Sequence, residues 1–198
     1  MIPVLLFARA PRLGTVKSRL AAAVGEEAAL TVYRALGKRV VEQIVPVSSL
    51  TIWYDPPDAL AEMRAWLGEH AFRPQPEGDL GARITFGFQE HFAVHPDRPV
   101  LAVGADAPEV DGETILAAAR ALATGDVVLG PAHDGGYYLI GVSRPYPELF
   151  EGIPWGTSQV CEATTDRCLA LGTPPVLLPE LRDVDRLEDL AALGLWPP

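Results

Sequence analysis

Apolar residues fall along this chain in two alternating kinds of run: short unbroken blocks, and longer stretches with helical spacing. Ile2 to Ala8 is unbroken, as expected of a strand covered on both faces. From Glu26 to Val45 the positions Leu30, Tyr33, Leu36, Val40, Val41 and Ile44 predict a helix with one buried stripe. Leu50 to Tyr54 reads as a second strand. Asp55-Pro56-Pro57-Asp58 then predicts the start of a helix reaching about Leu67, because prolines are tolerated only in a first turn. Ala71 to Arg73 is a short strand, Leu80 to Phe92 a helix, and Pro99 to Val103 a buried strand. Asp111 caps a helix through Leu122, and Asp126 to Leu129 and Tyr137 to Val142 are strands. Gln159 to Leu171 is a helix, Pro175 to Leu178 a late strand, and Arg186 to Leu193 a final helix.

This βαβα rhythm predicts an α/β fold, a three-layer α/β/α sandwich around a mostly parallel sheet. The sheet should be mixed, because the Gly135-Gly136 turn between two strands implies one antiparallel strand. Neither a linker, a repeat nor a low-complexity tract interrupts the pattern, so residues 1–198 read as one domain.

Composition adds limits. With 48% hydrophobic and 21% charged residues the chain has a globular balance. Its longest apolar runs, such as Val100 to Val103, are too short to cross a bilayer, so no membrane partner is expected. The apolar opening run has no basic residue before it and Arg9 directly after it, which suits a first strand better than a secretory signal. Cys161 and Cys168 are seven apart, about 10 Å along a helix, too far for a disulfide. Reduced, semi-buried thiols fit a cytoplasmic protein.

A net charge of −10 argues against nucleic acid. The acidity is uneven, however. Residues 1–25 hold Arg9, Arg12, Lys17 and Arg19 and no acid, where about three acids would fall at the chain's average density. A small anion suits this positive island better than a polymer.

In open sheets of this kind ligands bind beyond the carboxyl ends of the strands, and the stretches there hold the function-capable residues. Ala8 to Leu20 offers a loop, a helix start and the charges of Lys17 and Arg19, a cradle for phosphate. It is not a Walker loop, since Pro11 and Val16 stand where glycines are needed. In Gly104-Ala105-Asp106-Ala107-Pro108, Asp106 can offer a free carboxylate to Mg²⁺ or Mn²⁺, or form a turn. In Arg182-Asp183-Val184-Asp185, either Asp183 or Asp185 suits a second metal ligand. Asp185 also sits where a helix cap belongs, with Glu188 three residues on. Two carboxylates 4 Å apart repel by about 4 kcal/mol at an effective dielectric of ~20, which a divalent ion reverses.

Gly130 to Gly141 holds His133 and Asp134, able to orient a hydroxyl or act as a base. Gln75 to Arg83 places glycines around Asp79 at a helix start, suited either to a base or ribose or to plain capping. Ile153-Pro154-Trp155-Gly156-Thr157 can set an indole against a sugar or base, or serve as a core lid.

Taken in order, these motifs resemble a bacterial family of GT-A-like nucleotide-diphospho-sugar transferases. The matching stretches are Phe7-Ala8-Arg9-x-Pro11 to Lys17-Ser18-Arg19-Leu20, Gly78-Asp79-Leu80-Gly81-x-Arg83 and Gly104-x-Asp106-x-Pro108. They continue with Gly130-Pro131-x-x-Asp134-Gly135-Gly136-Tyr137-Tyr138-Leu139-Ile140-Gly141, Trp155-Gly156-Thr157 and Asp183-Val184-Asp185-x-x-Glu188-Asp189-Leu190. The Lys-Ser-Arg-Leu loop is also similar to that of phospholactate guanylyltransferases, and the closing motif to that of small sugar-nucleotide cytidylyltransferases. The resemblance implies a metal-dependent transferase in which Lys17 and Arg19 hold phosphates and Asp106 and Asp185 hold Mg²⁺ or Mn²⁺. It places Gln75, Gly78 and Asp79 near the base or ribose, with Arg9 and Arg83 completing the nucleotide contacts. Asp134 would face the acceptor or sugar, so Lys17, Arg19 and Asp134 are the expected reaction residues. The partners would be a sugar nucleotide and a small acceptor. Nucleotidyl transfer from a nucleoside triphosphate is the alternative, and a non-catalytic nucleotide-binding protein is another.

Overall fold

The computed structural model describes residues 1–193; residues 194–198, the end of the expected domain, lie outside the described residues. β1 (Ile2–Arg9), β2 (Ser48–Asp55), β3 (Ala71–Pro74), β4 (Val100–Gly104), β5 (Val127–Pro131), β6 (Tyr137–Val142) and β7 (Val176–Leu177) form one sheet. Its order is β3-β2-β1-β4-β6-β5-β7. Every strand but β6 runs the same way, and β6 pairs antiparallel with both β4 and β5. The Gly135-Gly136 turn thus reverses the chain as expected.

Alternation along β1 sends side chains to both faces. Val4, Leu6 and Ala8 pack with α2 (Glu26–Ile44), α3 (Leu60–Leu67) and α5 (Gly112–Ala121). Leu5 packs on the other face with α4 (Leu80–Val94) and α6 (Val160–Ala170). The three-layer sandwich follows from that alternation. A third cluster joins α1 (Ser18–Val24), α2 and α7 (Leu187–Ala192) through Leu20, Leu36, Val184 and Leu190. Leu6 is fully buried in β1, an interior strand, where truncation to Ala costs about 2–5 kcal/mol.

Several boundaries differ from expectation for local reasons. The helix expected to start at Asp55 begins at Leu60, because Pro56 and Pro57 stay in the preceding turn, where Ala59 N donates to Pro56 O at 3.0 Å. α1 is a helix of its own, separated from α2 by Gly25 in a positive-φ conformation. The late strand keeps only Val176–Leu177. Asp185 does not cap α7: Asp189 reaches back instead, and its Oδ2 accepts from Arg186 N at 2.7 Å and Asp185 N at 3.0 Å. Among the described residues no helix is long and apolar enough to cross a membrane.

Candidate active site

Because the parallel strands end on one edge of the sheet, the segments after β1, β4 and β5 open into one cleft of about 920 Å³. The segment after β1 is fixed at several points. The hydroxyl of Tyr33 accepts from Arg9 N at 3.0 Å and donates to Arg9 O at 2.9 Å. Arg12 forks onto Glu62 at 2.7 Å and Asp58 at 3.2 Å, and Arg34 donates to Pro11 O at 3.3 Å. The segment ends at Lys17, whose φ of 50° makes it the one non-glycine residue with positive φ among those described. Left-handed backbone at such a residue costs about 1–2 kcal/mol and persists only where the surroundings enforce it.

The enforcing contacts are ionic. Lys17 Nζ lies 2.8 Å from Asp106 Oδ2 and 2.8 Å from Asp185 Oδ1, with its side chain only 5% exposed. Burial alone would lower the pKa of this ammonium, but Asp106 and Asp185 outweigh burial and raise it. Burial likewise pushes the Asp106 carboxyl up, and the attraction of Lys17 overrides that and lowers it. Arg19 Nη1 takes the other oxygen of Asp185 at 3.3 Å. Val184 N donates to Asp106 O at 3.2 Å and its side chain is fully buried, so the 183–185 segment is pinned to the end of β4.

The same pinning gathers a carboxylate group. Asp134, Asp183 and Asp185 each offer an oxygen within 4.8 Å of the others. Burial, and then the charges of Asp134, Asp106 and Asp185, push the Asp183 carboxyl up to about 6. Lys17 and Arg19 pair with Asp106 and Asp185, which leaves Asp134 and Asp183 without an ion pair among the described residues, two carboxylates that one divalent cation would balance. Hard oxygen donors in this number suit Mg²⁺ or Mn²⁺. The residues present therefore fit such an ion.

Asp134 is set by its turn: its Oδ1 accepts from Gly136 N at 2.7 Å. Gly135, at φ 87°, lies so close to the 155–161 segment that a Cβ there would stand 2.1 Å from Ser158 O. Cys161 N also donates to Gly135 O at 2.9 Å, so the Asp134 turn rests on the segment that carries Trp155.

A second hollow of about 370 Å³ adjoins the cleft, sharing Phe7, Arg9 and Leu80 with it. Gln75 and Arg83 line it chiefly as struts. Gln75 Nε2 donates to Trp53 O at 2.8 Å and Ala8 O at 3.2 Å, while its Oε1 accepts from Arg83 Nη1 at 2.8 Å. Arg83 Nε donates to Gly78 O at 3.0 Å, and Arg83 and Arg9 both pair with Asp55, at 3.4 and 3.6 Å. Asp79 caps α4, its Oδ1 accepting from Ala82 N at 2.8 Å.

The structure thus brings Arg9, Lys17, Arg19, Asp106, Asp134 and Asp185 to one cleft and Gln75, Gly78, Asp79 and Arg83 to its neighbour. Their contacts with one another are not legible from spacing. Lys17 Nζ is engaged by Asp106 and Asp185. Asp185 groups with Asp183 and Asp134, and Asp106 meets it through Lys17. Tyr33 and Asp55 went unread: Tyr33 looks like one more position in the apolar stripe of α2, and Asp55 like a helix start. The signal for Tyr33 is a hydroxyl in an otherwise aliphatic stripe.

The fold is that of the nucleotide-diphospho-sugar transferases. The chain belongs to the family described as "Uncharacterized protein conserved in bacteria (DUF2064)", whose model matches residues 40–157. A protein from Desulfovibrio desulfuricans G20, described as a candidate nucleotide-diphospho-sugar transferase, is 34% identical with a TM-score of 0.91, over 98% of this chain and 87% of that one. The fold is shared with 4-diphosphocytidyl-2C-methyl-D-erythritol synthase from Anaerococcus prevotii DSM 20548, at TM-score 0.61 and 10% identity over 98% and 99% of the chains. It is also shared with CMP:2-keto-3-deoxy-manno-octonic acid synthetase complexed with CTP, at 0.60 and 12% over 98% of each. No curated protein matches the chain in sequence.

Proposed function

We propose that the protein is a divalent-metal-dependent transferase that takes a sugar nucleotide and passes its glycosyl group to a small acceptor. The observation that carries this reading is the grouping of Asp134, Asp183 and Asp185, with Asp134 and Asp183 free of ion pairs among the described residues, beside two exposed guanidinium groups, Arg9 (55% exposed) and Arg19 (58%). The description of the Desulfovibrio protein, 34% identical, supports the same donor. Bound at Asp134, Asp183 and Asp185, Mg²⁺ or Mn²⁺ supplies charge neutralisation for a departing nucleoside diphosphate. Arg9 and Arg19 share that charge from the protein side. Lys17 holds Asp106 and Asp185 in place, so that the cluster is assembled before substrate arrives.

Nucleotidyl transfer is a second reading, favoured by the basic loop, since a triphosphate and its pyrophosphate product both need several cations. Calorimetry of nucleoside diphosphate sugars and nucleoside triphosphates, with Mn²⁺ and with EDTA, tests both. Metal-dependent binding that Asp185→Asn weakens is the expected result, and release of nucleoside diphosphate rather than pyrophosphate selects glycosyl transfer. Binding without turnover for any acceptor would point to a nucleotide-binding protein. No binding from either panel would sink the nucleotide reading.

A further inference from the structure

The lining of the large cleft divides by chemistry. Lys17, Arg19 and the aspartates form its charged part, while Phe7, Leu80, Ile84, Tyr137 and Trp155 form an apolar one. Trp155 is held within that apolar part from several sides. It stacks on Phe150 at 6.5 Å and 23°, and meets Tyr137 edge-on at 6.3 Å and 83°. Gly81 backs the indole so closely that a Cβ there would stand 2.6 Å from Cζ2. The chain under the ring is a tight turn, with Trp155 N donating to Ile153 O at 2.9 Å and Thr157 Oγ1 to Pro154 O at 2.8 Å.

A ring that served only to fill the core would be covered like its neighbour Phe150, at 7% exposure. Trp155 is half-buried and lines the cleft, with the Nε1 edge of its indole against Gly81. A rigid aromatic surface beside a charged wall suits a ligand with an apolar face and a polar rim. A pyranose has that shape, with axial C–H groups on one face and hydroxyls around the edge.

We propose that Trp155 is the platform for a hexopyranose, specifically the sugar carried by the nucleotide; this rests on the sugar-nucleotide reading above. The other parts of such a donor have places elsewhere. The second hollow is left for the base, and the arginines and the aspartate cluster suit the phosphates. The sugar is left for the apolar wall. Because the Asp134 turn rests on the Trp155 segment through Gly135, platform and aspartate cluster are held in one frame.

The test uses the full chain labelled with 5-fluorotryptophan, with the Trp155 resonance assigned by Trp155→Phe and the buried Trp53 and Trp66 as internal references. Two titrations are run: nucleoside diphosphates against the matching diphosphohexoses with Mn²⁺, and hexose 1-phosphates alone at tens of millimolar. The expected result is a Trp155 shift with diphosphohexoses and with hexose 1-phosphates that nucleoside diphosphates do not reproduce. Trp155→Ala then weakens diphosphohexose binding about tenfold while leaving nucleoside diphosphate affinity as it was, and Trp155→Phe keeps most of the difference. If nucleoside diphosphates move Trp155 as strongly, the indole stacks a base and the proposal fails. It fails too if Trp155→Ala weakens both ligands alike, or if Trp155 stays silent while diphosphohexoses bind. The hexose 1-phosphate arm needs no nucleotide. Its failure overturns the platform, whereas absence of all nucleotide binding overturns the transferase reading.

Discussion

Lys17 spends about 1 kcal/mol or more on a left-handed backbone in order to set its ammonium 2.8 Å from two carboxylates. Removing a partner from a buried ion pair costs about 3–5 kcal/mol, but Asp106 and Asp185 keep 40% and 32% of their side-chain surface exposed. With that screening, Lys17→Met should lower unfolding free energy by about 2 kcal/mol in EDTA. Mn²⁺ should restore part of it, which paired urea melts would show; equal losses with and without the ion would mean that no cation replaces the ammonium. Asp183 carries the opposite prediction. Its pKa is raised to about 6 in the folded state, so the folded protein binds the extra proton, and stability falls as pH rises from about 4 through 6. Asp183→Asn should abolish that loss and gain about 1–2 kcal/mol at pH 8 without metal, after allowance for solvent screening, while weakening Mn²⁺ binding. A variant whose urea midpoints follow the parent across this pH range would refute the assignment.

At the scale of elements, the site depends on how helices and turns brace the ends of strands. Tyr33 on α2 grips both backbone atoms of Arg9 at the end of β1, and its ring leans on Trp66 of α3 at 5.1 Å. Tyr33→Phe keeps that ring and loses both hydrogen bonds. About 1–3 kcal/mol of stability should go with them, together with faster hydrogen exchange at the Arg9 amide. Gly135 braces the Asp134 turn against Ser158 with a 2.1 Å clearance for any Cβ, onto backbone that cannot step aside. Gly135→Ala should therefore cost more than about 2 kcal/mol in thermal or urea unfolding and displace Asp134, so that Mn²⁺ affinity falls as well. These braces also mark what periodicity can convey. The stripe of α2 and the unbroken run of β1 carry the layers, and Asp-Gly-Gly carries the antiparallel reversal, because each is a local signal. The grip of Tyr33 on Arg9 joins residues 24 apart, and no local pattern encodes it.

Across the whole molecule, the site is made by convergence. Lys17 meets Asp106 across 89 positions and Asp185 across 168, so the loop after β1 and the segment before α7 close the same cleft. The rule that ligands sit at the carboxyl ends of parallel strands picks out, from sequence, loops that meet in the cleft, because it needs only strand order along the chain. Which carboxylate faces which cation needs the sheet order β3-β2-β1-β4-β6-β5-β7, and the sequence does not print it. Closure by distant segments has a thermodynamic consequence. A metal and nucleotide that contact residues from both ends of the chain bind the folded state and have no equivalent site in the unfolded one. At a hundredfold excess over Kd the ligand adds about 2.7 kcal/mol. For a domain of about this size each kcal/mol moves Tm by roughly 2–4 °C, so the parent should gain about 5–10 °C with Mn²⁺ and its nucleotide. Asp185→Asn should forfeit most of that gain, since Asp185 serves both the carboxylate group and the Lys17–Arg19 pairing. A gain that survives both this substitution and EDTA would place the ligand away from the aspartate cluster.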